Sequence, residues 1–354
     1  MRVVYLADAP YIHTRRWVQH FARLGWDAHV ISFRPAEIEG ATVHYIDGFE
    51  AIGKARYVVH ARRVRALIDD LQPDLLHALH LTSYGFLAGL SGFQPSIVSV
   101  WGTDVLEAPT LSPLHGWITR HALARAGAIT ATGRKLAEAT VPYAPAGAKI
   151  HVIPYGVDLD VFCPVPRAAT ARVTVGAVAR LSPEKGLDHL LRAVARLRDD
   201  GVDLDLVLAG EGPSRGALER LTDELALRDR VEFAGEVAHS DVPAILQRFD
   251  IFAMPSTWEG FGVSAIEASA MDLPIVASNI HGIPDVVLDG ETGLLVPPAD
   301  IGLLADALRR LAGDAGLRAR MGAAGRAFVS REYRWQDNAA LMESLYEKML
   351  HGPT

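Results

Sequence analysis

The stretch RVTVGAVARLSPEKGLDHLL, residues 172 to 191, decides the architecture. An apolar run (172 to 179) reads as a buried strand, Arg180 to Lys185 as a polar loop, and the segment from about Gly186 as a helix. This unit restarts, in mid-chain, a pattern the chain has already used once. "RVVYLAD", "HTRRWVQHFARLG" and "DAHVISF" alternate near the start, followed by "DLLHAL", "SYGFLAGL" and "SIVSV", with "AITAT" closing the half. Trp17, Val18, Phe21 and Leu24 recur at helical spacing, and Gly25 stands where a C-cap belongs. After residue 191 come "LDLVLAG", "RVEFAG", "DIFAMP", "PIVAS" and "TGLLVP". Continuous apolar strands joined by helices predict parallel sheets covered on both faces. Two such series predict two doubly wound α/β domains.

Length agrees, because 354 residues exceed one ordinary core. Pro154, Gly156, Pro164 and Pro166 interrupt regular structure between the halves, so the boundary is expected near residue 165, with Gly156 and Pro164 marking a hinge. The domains are read as 1–165, 166–332 and a final helix, 333–354, with Trp335, Leu341, Leu345 and Met349 at helical spacing and packing back on the first domain. Ligands of such sheets bind beyond the carboxyl ends of the strands, so the two domains are expected to face each other across a binding cleft.

Apolar residues make up 49% of the chain and charged residues 22%, which excludes disordered and fibrous classes. The start, "MRVVYLADAP", is too briefly apolar for a membrane span or a signal peptide. Cys163 is the single cysteine, leaving no intrachain disulfide and no cysteine-built zinc site, and a cytoplasmic location is expected. The net charge of −7 is uneven, with 15 basic and 14 acidic residues up to 165 and 20 against 28 beyond. That balance argues against nucleic acid as a partner. Residues 54–70 are a local exception: Lys54, Arg56, Arg62, Arg63 and Arg65 share a helical stretch with Val58, Val59, Val64, Leu67 and Ile68. Such a helix suits peripheral contact with an anionic membrane, and it equally suits an ordinary solvated face.

The chemistry concentrates in "STWEGFGVSAIEASA", residues 256 to 270. Gly260 and Gly262 supply a turn where backbone can approach a ligand, and a helix begins directly after it, giving free N–H groups and a positive dipole end for phosphate. Glu259 lies in the loop and Glu267 about a turn and a half into the helix. Carboxylates suit hydroxyl pairs better than phosphate, so a nucleotide sugar fits: diphosphate at the turn, a polyol on each side. Arg180 and Lys185 would supply the cations that a departing diphosphate requires.

These motifs resemble the retaining nucleotide-sugar glycosyltransferases of family 4, with their GT-B fold of two Rossmann-like domains. "EGFGVSAIE" is similar to the family's paired-glutamate signature, "ARLSPEKG" to its phosphate clamp, "VIPYGVD" to its hinge, "LAGEGP" to the turn before the base pocket, and "HGIPDVVLDGETGLLVPPAD" to the stretch after the donor site. The resemblance implies a retaining hexosyl transfer from a UDP- or GDP-linked donor to a glycan, lipid-linked or small-molecule hydroxyl. It implies Arg180, Lys185 and Glu259 as the catalytic set, with Glu259 on sugar hydroxyls and Glu267 on the ribose. Phe261, Gly262 and Val263 would offer backbone to sugar and phosphate, and Gly210, Glu211, Gly235 and Val237 would surround the base. No cofactor or metal is implied, and the Asp158–Asp160 and Asp203–Asp205 pairs lack the further ligands a metal site needs.

The first half matches less closely. "DAPYIHTRRW" replaces the usual Gly-Gly turn, and Trp101 in "SVWGTDVL" stands where many members carry histidine. His13, His80, Trp101 and Asp104 are the acceptor-side candidates, whereas His77 reads as a hydrogen-bonded core residue. Two other readings of the same fold stay open: a nucleotide-sugar epimerase, which would convert donor without acceptor, and a non-catalytic nucleotide-sugar-binding protein. A dinucleotide dehydrogenase is disfavoured because no G-x-G-x-x-G follows the first strand.

Overall fold

The computed structural model describes residues 1–47, 56–166 and 172–352. It divides into two units, Met1–Tyr155 with Asp337–Thr354, and Gly156–Gln336. The division falls between Tyr155 and Gly156, ahead of the position near 165 that the prolines suggest. Backbone pairing explains the difference. Val157 N–H donates to Tyr333 O (2.8 Å), Trp335 N–H donates to Val157 O (2.9 Å), and a Cβ on Gly156 would lie 2.4 Å from Trp335 Cα.

The first unit holds strands β1 (Arg2–Leu6), β2 (Asp27–Ser32), β3 (Ala41–Tyr45), β4 (Leu75–Leu79), β5 (Ser96–Val100), β6 (Ala128–Ala131) and β7 (Ile150–Val152). They form one sheet in the order β3-β2-β1-β4-β5-β6-β7, every neighbouring pair parallel. The sequence of β4, LLHAL, is buried at every position, as expected for a strand covered on both faces. The helix Ile12–Arg23 buries Thr14, Trp17, Val18 and Phe21, and Gly25 follows with φ +83°, a backbone angle that glycine adopts without strain.

The second unit holds β8 (Val173–Val178), β9 (Leu204–Ala209), β10 (Val231–Gly235), β11 (Ile251–Met254), β12 (Ile275–Ser278) and β13 (Gly293–Val296). Their order is β10-β9-β8-β11-β12-β13, again all parallel. The helix Leu187–Asp199 covers this sheet with Leu187, Leu190, Leu191, Val194 and Leu197. Each such buried side chain contributes about 2 kcal/mol of apolar transfer. The order reverses direction between β8 and β11, so the loops leaving these two strands turn to opposite faces and open a crevice at their carboxyl ends. In the first unit the same reversal lies between β1 and β4.

The last helix, Trp335–His351, groups with the first unit from Asp337 onward. Its buried face is Asn338, Ala339, Met342, Leu345 and Tyr346, while Leu341 is 50% exposed. The expected stripe through Leu341 is therefore displaced. Tyr346 sets the orientation: its ring stacks on Phe21 at 4.2 Å and its hydroxyl lies 2.5 Å from His77 Nδ1. His77 Nε2 is 2.7 Å from Ser99 Oγ, which lies 2.6 Å from Thr130 Oγ1. His77 is thus the hydrogen-bonded core residue that its sequence context indicates.

On the surface of the same unit, the helix Ala61–Leu71 buries Val64 and Ile68 and exposes Arg62, Arg63 and Arg65. Val58 and Val59, in the short helix Arg56–Val59, are each 62% exposed. Lys54 and the Arg56 side chain lie outside the described residues. No helix among the described residues is long and apolar enough to cross a membrane.

Complete burial pushes the His77 pKa down to about 3 from 6.5. An imidazole with a depressed folded-state pKa stabilises the fold fully above pH 6.5, and that contribution is lost as pH falls toward 3, at about 1.4 kcal/mol per unit. Urea unfolding of the first unit should therefore lose about 2 kcal/mol more between pH 6.5 and 5 than the His77→Gln variant does. Equal losses in both proteins would remove this role.

Candidate functional site

The crevice of the second unit is built by the loops that leave β8 and β11. Gly186 ends the first loop at φ +62°, and a Cβ there would sit 2.1 Å from Pro255 O. Thr257 N–H donates to Glu184 O at 2.8 Å, sewing the two loops backbone to backbone. This close approach brings the Lys185 ammonium to donate to Glu259 Oε2 at 2.7 Å, with 20% and 18% of the two side chains exposed. Glu259 Oε1 also accepts from the Gly260 amide at 3.1 Å. Residues 74 positions apart in the chain form one charged pair. Beside it, the Ser182 hydroxyl donates to Glu184 Oε1 at 2.5 Å, and that bond, with the nearby Lys185 and Arg180 charges, holds the Glu184 carboxyl below its ordinary range. Arg180 is exposed at the same loop.

The β9 exit joins them. Gly210 takes φ +136°, where a Cβ would meet Ala179 O at 1.9 Å, and a Cβ on Gly212 would meet Leu181 O at 2.3 Å. Leu181 N–H donates to Glu211 O (2.9 Å) and Gly210 N–H to Gly235 O (2.7 Å). The structure thus gathers Arg180, Gly210, Glu211 and Gly235 along one rim. The Glu211 carboxylate is paired with Arg215, whose guanidinium carbon lies 5.4 Å above the Phe233 ring. Sequence reasoning missed Arg215, which opens the helix Arg215–Glu224 and reaches back across the preceding turn to Glu211. Val237 follows the β10 turn and is half-buried.

Gly262 caps the helix Val263–Ala270 at φ +93° without any side-chain cap, leaving the amide end of the helix open to an anion. Phe261 turns its ring inward, 5.6 Å from Tyr333 and only 3% exposed, so backbone and not ring lines the turn. Gly282 presses from below, where a Cβ would lie 2.3 Å from Gly260 O. Glu267 is 6% exposed, and its Oε1 lies 3.0 Å from His239 Nε2. His239 in turn stands edge-on to the buried Phe162 ring at 5.8 Å. His239 was not foreseen, because it belongs to the turn after β10, far in sequence from either glutamate.

The aspartate pairs are otherwise engaged. Asp203 and Asp205 accept from Arg172 at 2.7 and 3.3 Å, Asp203 also pairs with Arg230, and Asp158 Oδ1 accepts from the Asp160 amide at 3.0 Å. Among the described residues no group of three or more His, Cys, Asp or Glu is arranged to hold a metal ion.

In the first unit, His13 stacks on Tyr155 at 3.9 Å and Trp101 meets both rings edge-on, at 6.1 and 5.8 Å. Asp104 is completely buried. Its carboxylate accepts from the amides of Gly102 (2.8 Å), Leu81 (2.9 Å) and Trp101 (3.1 Å), tying the β5 exit to the β4 exit. That occupation makes Asp104 a positioning group for the loop carrying Trp101. His80 adopts φ +93° with Nδ1 2.9 Å from Ser83 Oγ, a backbone angle costly for a non-glycine residue. Asp8, absent from the sequence-based set, sits at the carboxyl end of β1 and accepts from the Tyr84 hydroxyl at 2.7 Å.

Comparison with known proteins decides the family. Residues 165–328 match the model for glycosyl transferases group 1, and residues 2–133 the glycosyl transferase 4-like model. A GDP-mannose-dependent alpha-(1-6)-phosphatidylinositol monomannoside mannosyltransferase of Mycolicibacterium smegmatis is 32% identical over 76% of this chain and 74% of its own length. The chain belongs to the group 1, family 4-like glycosyltransferases. An MMP alpha-(1->4)-mannosyltransferase of Mycolicibacterium hassiacum is 35% identical over 63% of this chain, a match that spans 54% of the relative's length. Sucrose-phosphate synthase of Thermosynechococcus elongatus shares the fold with a TM-score of 0.86, 21% identity and full coverage of both chains. The two doubly wound units are therefore those of the GT-B class.

The close approach at Gly186 is open to test. Gly186→Ala should lower the stability of the second unit by about 2–4 kcal/mol, a fall of roughly 5–10 °C in melting temperature. Gly201→Ala, with φ +80° but open space around it, is the control and should lose about 1 kcal/mol. Equal melting temperatures for the two variants would mean that the loops are not pinned there.

Proposed function

We propose that this protein is a retaining glycosyltransferase that moves a hexosyl group from a nucleoside-diphosphate sugar to an acceptor hydroxyl. The observation that carries the reading is the Lys185–Glu259 pair at the switch point. One loop offers the cation for a diphosphate, and the next offers a carboxylate for sugar hydroxyls beside an uncapped helix start. Arg180 and Lys185 would hold the diphosphate, with the Gly262 and Val263 amides against its oxygens and the sugar. Glu259 would exchange one lysine bond for the sugar's hydroxyls when donor arrives. Glu267, oriented by His239, would receive the ribose hydroxyls, and the rim at Gly210, Glu211, Gly235 and Val237 would surround the base.

The positive clamp stabilises charge that grows on the leaving phosphate, so the chemistry needs no metal or other cofactor in this account. The acceptor oxygen attacks from the face the diphosphate leaves, and the departing phosphate takes its proton. No carboxylate forms a bond to the sugar, in contrast to retaining hydrolases. A GDP-linked hexose is the first donor to try, because relatives 32% to 36% identical are named GDP-mannose-dependent enzymes; UDP-linked hexoses are the comparison set. Acceptors to screen are glycans, lipid-linked and small polyols, with His13, His80 and Trp101 on the acceptor side. Exposed Val58 and Val59 beside Arg62 and Arg63 fit peripheral contact with an anionic membrane from the cytoplasm.

The test is product analysis with donor, with and without acceptor. Transfer that keeps the donor's anomeric configuration and proceeds in excess EDTA supports the reading. Conversion of donor to an isomeric nucleotide sugar without acceptor would assign an epimerase, and binding without turnover a non-catalytic receptor. If Glu267 makes two charge-assisted bonds of roughly 1.5–3 kcal/mol each, Glu267→Ala should lose on the order of 10²- to 10⁴-fold in turnover. Activity within about threefold of wild type would remove its assigned role.

A further inference from the structure

The described residues contain a hollow remote in topology from the strand exits that carry the residues above. It opens at the amino ends of β6 and β7, the last two strands of the first sheet, under the C-terminal helix, with a volume of about 380 Å³. That lies within the range of small-ligand pockets, roughly 300–1,000 Å³. Leu123, Ile129 and Leu345 give it an apolar floor. Lys149, His151 and Lys348 supply its charged and polar lining, and no acidic side chain joins them. Lys348 stands three residues after Leu345, so one helix face presents the floor and a cation together.

Among the described residues neither lysine forms an ion pair. Their charges are felt at the imidazole between them: burial first, then Lys149 and Lys348, hold the His151 pKa below its ordinary value. Both lysines are exposed, so two ammonium groups without an ion pair among the described residues stand at the rim, beside a half-buried imidazole and over an apolar interior. A purely apolar guest would fill the floor and make no use of the two cations at the rim. A bare inorganic ion would leave the apolar floor unfilled.

The geometry points to a binding site for a small amphipathic anion, with a phosphate or carboxylate head between Lys149 and Lys348 and an apolar body against Leu123, Ile129 and Leu345. The site goes beyond the donor reading, since it shares no residue with the second unit and would persist if the transferase assignment failed. Charge-assisted bonds from the lysines orient the head, and the neutral imidazole of His151 can donate one more.

Titration calorimetry of the full chain with octyl phosphate tests this. One equivalent should bind, and octanol and inorganic phosphate should each bind at least tenfold more weakly. The Lys149→Ala/Lys348→Ala double variant should weaken octyl phosphate binding at least tenfold, and Ala148→Phe, which fills the hollow without touching charge, should do the same. Both variants should keep the wild-type melting temperature without ligand. Octanol binding as tightly as octyl phosphate, no binding at all, or affinity unchanged in either folded variant would overturn the proposal. Sedimentation with phosphatidylglycerol vesicles then separates the sources of the head: vesicle binding lost in the double variant assigns a lipid, and octyl phosphate binding without it assigns a soluble amphiphile.

Discussion

The approach of two loops, after β8 and after β11, to within backbone contact is the constraint on which the second unit's chemistry depends. Only glycine at 186 lets the first loop pass beneath Pro255 O, and only that passage brings the Lys185 ammonium to the Glu259 carboxylate. The same economy of side chains recurs at Gly210 against Ala179 O and at Gly282 against Gly260 O. Each replaces a side chain with backbone, so that amides and carbonyls form the walls of the crevice. A half-buried lysine and glutamate, paired with each other, leave neither charge bare in a poorly solvated place.

The first unit uses a different device. Asp104 anchors the β4 and β5 exits by accepting from three backbone amides, which fixes the loop that carries Trp101. Trp101, His13 and Tyr155 then pack as an aromatic cluster, with Tyr155 buried beneath the other two rings. The loop is held by the aspartate, whatever side chain precedes Gly102.

Strand and loop chemistry was legible in the sequence because it is local. The restart at RVTVGAVA, the glycine elbow and the His77 core position each follow from residues close together in the chain. The missing parts come from long-range packing. His239 meets Glu267 across 28 positions, and nothing in "EVAHSD" announces that partner. The domain division moved to Tyr155/Gly156 because Val157 pairs with residues near 334, a contact that proline counting cannot see. Leu341 fits a helical stripe, yet Tyr346 rotates that helix by docking its hydroxyl on His77. Asp104 is an acceptor-side candidate in the sequence, since ligation of its carboxylate by backbone amides leaves no mark on spacing.

A crystal structure with a nucleoside diphosphate tests most directly the proposal that the crevice of the second unit grips a diphosphate. The phosphates should lie at the amino end of the helix Val263–Ala270, between Arg180 and Lys185, with the ribose against Glu267. Phosphates bound elsewhere, with the Lys185–Glu259 pair undisturbed and Arg180 turned away, would contradict it.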